Sequence, residues 1–158
     1  MLSDTRPNSE VEIPIACDPT PITPDQRERW MVVGTQVYQA IQEIQELPDG
    51  YAFRLPDDPE MLLLVGEDLN YERLCCPFVR YTLEIEPNRG PFWLRMTGGK
   101  GVKEFVRMGF EASNVNDENV AKAAGFSVSN RINLDSVETT LEIIDKVNER
   151  FAKAAGSS

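Results

Sequence analysis

The chain has 158 residues, with 26 acids against 16 bases, a net charge of −10 and no histidine. A surface of that sign repels phosphate backbones, so no nucleic-acid partner is expected. The absence of imidazole removes histidine general bases, Ser-His and Cys-His catalytic pairs, and mixed Cys/His zinc sites.

Length suits one domain, and 41% hydrophobic residues can fill a modest core. The longest apolar run, Met61 to Val65, is far too short to cross a bilayer, so no membrane partner is expected. The opening "MLSDTRPNSEVEIPIA" carries acids and proline where a signal peptide needs a basic start and an apolar stretch. That reading places the protein in the cytoplasm. Thiols stay reduced there, so an odd set of three cysteines is not expected to be a disulfide framework.

Residues 1–22 read as an extended or disordered segment. Thr23, Pro24 and Gln26 form a helix-opening pattern. Trp30, Val33, Val37, Ile41 and Ile44 follow at spacings of three and four. Together they predict a helix over 23–46, stopped by "LPDG" (Leu47 to Gly50). Alternation in Tyr51, Phe53 and Leu55 predicts a strand. "DDPE" (Asp57 to Glu60) opens a second helix, 59–75, which must end before Pro77. Strands are predicted over 79–86 and 92–97, joined as an antiparallel hairpin by "PNRGP". A short helix follows "TGGKG", with Val102, Phe105 and Val106 facing inward. The fold class is therefore α+β over residues 23–110: a two-layer sandwich with a small three-stranded sheet and helices on one face.

Composition changes at Glu111. "EASNVNDEN" (Glu111 to Asn119) reads as a polar linker, then come a short helix near 120–124 and a long one from about Asp135. Val137, Leu141, Ile144, Val147, Phe151 and Ala154 line one face of the long helix. Residues 111–158 thus read as a C-terminal helical extension. Its apolar face must cover the open side of the sheet or pair with a second copy; a homodimer is the expectation.

The chemistry lies in "NYERLCCPFVRY" (Asn70 to Tyr81). Cys75 and Cys76 end a helix, where either thiol can act as a small buried hydrophobe. The negative end of the helix dipole disfavours a thiolate, which argues against a nucleophile. A bridge between the two neighbours is disfavoured by geometry. If the segment carrying Cys17 folds back onto them, three sulfurs converge. Such a set suits a soft ion: cuprous copper, mercuric ion or arsenic(III). Zinc would need a fourth ligand such as Asp18. A weaker candidate is the loop Gly98, Gly99, Lys100 and Gly101, with Lys103 and Arg107 nearby, as an anion cradle. It lacks phosphate-loop spacing and reads equally as a turn. Glu67, Asp68 and Glu72 either face a pocket or form a solvated face. Trp30, Trp93 and Tyr81 read as core.

The blocks "CDPTPI", "ELPDGYAFRLP", "NYERLCCPF" and "LEIEPNRGPFWLRMTGGKGVKEF" resemble a group of small uncharacterised bacterial proteins. The resemblance covers residues 15–107. It implies a self-contained unit with its motif cysteines at Cys17, Cys75 and Cys76, and it implies no reaction or ligand. "VAKAAGFSVSNRIN" (Val120 to Asn133) is similar to the helix-turn-helix of lactose-repressor-type regulators. Asn130, Arg131 and Ile132 depart from that pattern where bases would be read, and the alternative is a packing turn. The expected function is a small cytosolic, non-enzymatic binding module holding a soft metal or metalloid ion on thiolates. The alternative is a structural or partner-binding homodimer whose cysteines only fill core.

Overall fold

The computed structural model describes residues 13–156. Residues 1–12, part of the segment expected to be extended, lie outside it. After a 3-10 turn at Pro24–Gln26 the chain forms α1 (Arg27–Gln39), β1 (Glu43–Leu47), β2 (Gly50–Leu55) and α2 (Pro59–Cys75). There follow β3 (Arg80–Ile85), β4 (Phe92–Thr97), α3 (Val102–Ala112), α4 (Glu118–Ala123) and α5 (Val137–Gly156). The fold is α+β, with an open four-stranded antiparallel sheet in the order β1-β2-β4-β3.

The expected three-stranded sheet gains β1, which takes the end of the helix predicted over 23–46. The apolar residues of "IQEIQEL", Ile41, Ile44 and Leu47, fall three apart and continue the helical spacing of α1. As an edge strand the stretch turns Ile44 to the core and leaves Leu47 half-buried at the hairpin. Pairing decides the outcome. The amide of Gln42 donates to the carbonyl of Arg54, and Leu47 sits opposite Gly50 across Pro48-Asp49. "LPDG" is thus a hairpin turn rather than a helix stop. Thr23, expected to cap, makes no side-chain cap bond, whereas Asp58 caps α2 through the Glu60 amide.

One face of the sheet carries Ile44, the β2 residues Tyr51, Phe53 and Leu55, and the β4 residues Phe92, Leu94 and Met96, set side by side by the register. Val33 and Val37 of α1, Met61 and Val65 of α2, and Val102, Val106 and Phe110 of α3 join them in one core. Both long helices predicted ahead of β3 therefore pack on the same face.

The opposite face covers itself. Ala52 lies between Gln45 and Arg95 in the register and is only 3% exposed. The stems of Arg54 and Arg95 lie along this face, with their heads paired to Glu43 and Glu84 at 3.6 and 3.3 Å.

Helix α5 covers neither sheet face. Ile143 and Val147 pack on Phe105 of α3, and Phe151 meets Phe105 edge-on with ring centroids 5.5 Å apart. Of the expected stripe, Val147 is buried, Val137, Leu141, Ile144 and Phe151 are half-buried, and Ala154 is exposed; the buried face of the helix runs through Thr140, Ile143 and Val147. The segment read as a linker is also tied down. Ser113 bridges Ile132, and Val115, Ala121 and Phe126 belong to the main core. Over 120–133 the chain shows the end of α4, a glycine turn at Gly125 (φ 85°), and then irregular backbone with a turn at 129–130 and a bridge at Ile132.

Because burying each large side chain contributes roughly 1.5–3 kcal/mol, a chain ending at Phe110 is expected to lose cooperative unfolding. It would forfeit Val115, Phe126, Ile143 and Val147 together. Urea denaturation followed by tryptophan fluorescence checks this.

Candidate functional site: a sulfur cluster in an apolar cavity

Helix α2 stops at Cys75 because Pro77 cannot be preceded by helical backbone. Cys76 leaves the helix (φ −123°, ψ 70°), its amide still donating to the carbonyl of Glu72. That departure changes the directions of the two neighbouring side chains, which a continuing helix would splay. Both are buried.

The N-terminal segment returns to this corner. The amide of Asp18 donates to the carbonyl of Cys75 at 2.8 Å. The side-chain amide of Asn148, on α5, holds Cys17 from both sides. Its Oδ1 accepts from the Cys17 amide and its Nδ2 donates to the Cys17 carbonyl, each at 2.9 Å. The expected convergence is present: the sulfurs of Cys17, Cys75 and Cys76 lie within 4.8 Å of one another.

The expectation of reduced thiols needs correction at two of the three positions. Cys17 and Cys76 form a disulfide across a sequence separation of 59, and Cys75 is free. The backbone bonds bring their Cα atoms to 4.7 Å, inside the range a disulfide spans.

The sulfurs lie in the wall of a partly open cavity of about 190 Å³. Trp30, Gly34 and Tyr38 of α1 form one wall. Glu72 lies beside Cys75 on α2, Tyr81 and Met96 come from the sheet, and Phe105, Phe110, Ile143 and Val147 close the far side. No lysine or arginine is among its lining residues.

Two acids mark this corner. Asp68, one turn before Glu72, is fully buried. Neither of its carboxylate oxygens makes a hydrogen bond of regular geometry, the Tyr38 hydroxyl being the polar group set against it. Burial, then the charge of Glu72, pushes the Asp68 carboxyl well above the usual carboxylate range. Glu72 accepts a hydrogen bond from the Trp30 indole at 3.0 Å; its pKa is also raised by burial, which that bond opposes. Glu72 is half-buried and lines the cavity. Burial pushes the Cys75 thiol strongly up, with Glu72 and Asp18 adding to the effect. Burial also raises the Tyr38 and Tyr81 hydroxyls, with Asp68 and Glu72 as the leading charges behind each. Unaided, Cys75 is a thiol and not a thiolate at neutral pH.

The other sequence candidates lie apart. Gly98, Gly99, Lys100 and Gly101 form the loop before α3 and do not line the cavity. The amides of Gly98 and Val102 are bonded to the carbonyls of Asp49 and Gly99, and Lys103 pairs with Glu46 at 2.7 Å. Gly101 (φ 95°) is required by packing: a Cβ there would stand 3.0 Å from Ile15 and 3.1 Å from Phe151. Glu67 pairs with Arg29 on the surface. Tyr81 and Trp30, read as core, are cavity walls. Asn148 and Tyr38 were not singled out from sequence. Trp30, Gly34 and Tyr38 do stand four residues apart, an aromatic–small–aromatic stripe legible in retrospect. Nothing marks Asn148 among the polar positions of α5.

Comparison with protein-family models, curated proteins and solved structures finds no match for this chain.

The acids set a pH dependence. A carboxyl whose folded pKa is raised above its unfolded value favours the fold at low pH. That contribution is lost as pH rises from the ordinary carboxylate range through the raised value. Asp68→Asn removes the Asp68 part. Its melting temperature is expected to exceed that of the parent by a margin that grows from pH 4 to pH 8. Thermal melts of both chains across that range check the sign.

Proposed function

We propose that the protein is a small cytosolic binding module. When reduced, Cys17, Cys75 and Cys76 take one soft, thiophilic ion of the cuprous, mercuric or arsenic(III) type; the oxidised form is the Cys17–Cys76 disulfide. One observation carries this reading: three sulfurs converge, held by backbone hydrogen bonds that do not depend on the disulfide. Reduction therefore leaves the ligands assembled. The cost of gathering them is already met by the fold, which is the condition for tight binding.

The ion set follows from the donors. Three thiolates suit soft, low-coordinate ions. Zinc needs a fourth ligand, and the nearby carboxylates are engaged, Asp18 with Thr20 and Glu72 with Trp30. The high pKa of Cys75 does not oppose binding, because a soft ion displaces the thiol proton. It does oppose a nucleophilic role, and no base stands ready to activate it.

The competing reading, a partner-binding homodimer, has the exposed side chains of Leu63 and Ile85 in its favour. α5 supports it less, since Val147 is buried and Leu141, Ile144 and Phe151 pack partly within the chain. Light scattering on the full chain separates the two.

Reduction by a phosphine adds no competing thiol: phosphine, disulfide and water give phosphine oxide and two cysteine thiols. The reduced chain is then expected to bind one arsenite, read by ultraviolet absorbance of the arsenic–sulfur bonds. The disulfide form should bind none, and Cys75→Ser should abolish three-sulfur coordination. Failure of the reduced chain to bind arsenite or mercuric ion would sink the proposal. Asn148→Ala removes two hydrogen bonds of roughly 1 kcal/mol each and should weaken binding about tenfold or more.

A further inference from the structure

The sulfur cluster alone does not account for its surroundings. A bare ion needs sulfur–metal distances of about 2.3 Å and no more room than the ligands leave. Here the three sulfurs open into a cavity of about 190 Å³ with aromatic and aliphatic walls. For scale, an apolar cavity of about 150 Å³ holds a benzene ring. The one ionisable carboxyl in the lining, Glu72, has no cationic side chain beside it in the wall, and Asp68 sits behind it without a regular hydrogen bond.

Three ligand classes can be weighed against these facts. A bare soft ion explains the sulfurs and leaves the cavity without a purpose. An organic ammonium ion explains the aromatic wall and the acids, and leaves the sulfurs without one. A soft ion carrying an apolar organic substituent explains the sulfurs and the cavity together. Its thiophilic atom binds sulfur and its substituent fills the apolar cavity.

We infer that the preferred ligand is such an organo-substituted thiophilic ion, a mono-aryl or mono-alkyl arsenic(III) or an organomercury cation. The inference rests on the soft-ion reading above and names the ligand class of that same site. The arsenic step balances without redox change. A phenylarsine oxide and two cysteine thiols give a phenyl dithioarsenite and one water. Two arsenic–sulfur bonds form, the arsenic–oxygen bonds break, and both thiol protons leave on that oxygen. Arsenic remains trivalent. Its three positions are then two sulfurs and the aryl carbon, so the organic group takes the place of a third sulfur. Cys17 and Cys76, already within bonding reach of each other, are the pair best placed to supply the two sulfurs. Cys75 is then needed for arsenite and dispensable for the aryl compound.

The test compares arsenite, methylarsine oxide and phenylarsine oxide on the phosphine-reduced full chain by isothermal titration. Methyl and phenyl compounds share the same valence, so their ratio reports the cavity alone. Phenyl is expected to bind at least tenfold tighter than methyl, the scale of burying a ring against water. Cys75→Ser should lose arsenite and keep the phenyl compound. Two cavity-filling variants, Gly109→Leu and Val147→Phe, should erase the phenyl advantage. Retained arsenite binding shows that each still folds around its sulfurs. Gly109 suits this use because a Cβ there meets no atom within 4 Å.

A phenyl-to-methyl ratio near one, or a ratio unmoved in variants that still bind arsenite, would overturn the inference and leave the soft-ion reading standing. Absence of binding by all three compounds would overturn both.

Discussion

The side-chain amide of Asn148 satisfies both backbone polar groups of Cys17, 131 residues away in sequence. A segment with no regular secondary structure has no ladder to hold it, so its backbone groups need such partners when they are taken from water. Asn148 supplies two, and the carbonyl of Cys75 supplies a third through Asp18. Once Cys17 is placed, Ile22 is buried against Trp30 and the vicinal cysteines, and Ile15 reaches Phe105 and Phe151. The segment becomes a wall rather than a tail. This also gives α5 its role. The helix is not a detachable handle, because its polar face carries the residue that fixes the first sulfur while its apolar face fills the layer beneath α3.

The acids complete the logic of that corner. A buried carboxyl without a cation is costly when charged, so it stays protonated or waits for a positive partner. Gly34 makes the placement possible: a Cβ there would stand 3.2 Å from Asp68 Oδ1. The close approach of α1 to α2 at that point sets Trp30 against Glu72 and Tyr38 against Asp68. Aromatic wall and acid pair are therefore one construction, made by two helices whose matching residues recur four apart.

Much of this fold was legible because strong local signals agreed with the tertiary outcome. The bounds of α2 follow from the acids and proline at one end and Pro77 at the other. β4 follows from alternation that nothing nearby contradicts. β1 reads as helix because the apolar residues of "IQEIQEL" keep a helical spacing of three, and pairing with β2 overrides that local signal. The convergence of Cys17 with Cys75 and Cys76 stands in the sequence only as a condition on the Cys17 segment folding back, suggested by all three cysteines lying in the blocks that carry the resemblance, with plain core packing as the alternative. The disulfide was not anticipated, because compartment reasoning sets the redox state of thiols in general and cannot see a Cα separation of 4.7 Å. Asn148 was invisible for a deeper reason. Its partners are backbone atoms, which have no signature in sequence.

On the proposed reading, disulfide and ion compete for the same sulfurs, so oxidation and loading are linked. An ion that binds only the reduced form stabilises that form by RT ln(1 + [L]/Kd). Each tenfold excess of ion over its dissociation constant adds about 1.4 kcal/mol to the reduced state, which for a two-electron couple raises the reduction potential of the disulfide by about 30 mV. The linkage runs both ways, since a more oxidising environment must weaken apparent ion binding by the same factor. Preorganisation sharpens the competition. In the disulfide form Asn148 holds the Cys17 backbone and the Cys75 carbonyl holds the Asp18 amide; if these bonds persist on reduction, as the proposal requires, neither closing the disulfide nor loading the ion makes the segment refold. The choice between them then rests on chemistry at the sulfurs, with little conformational cost on either side.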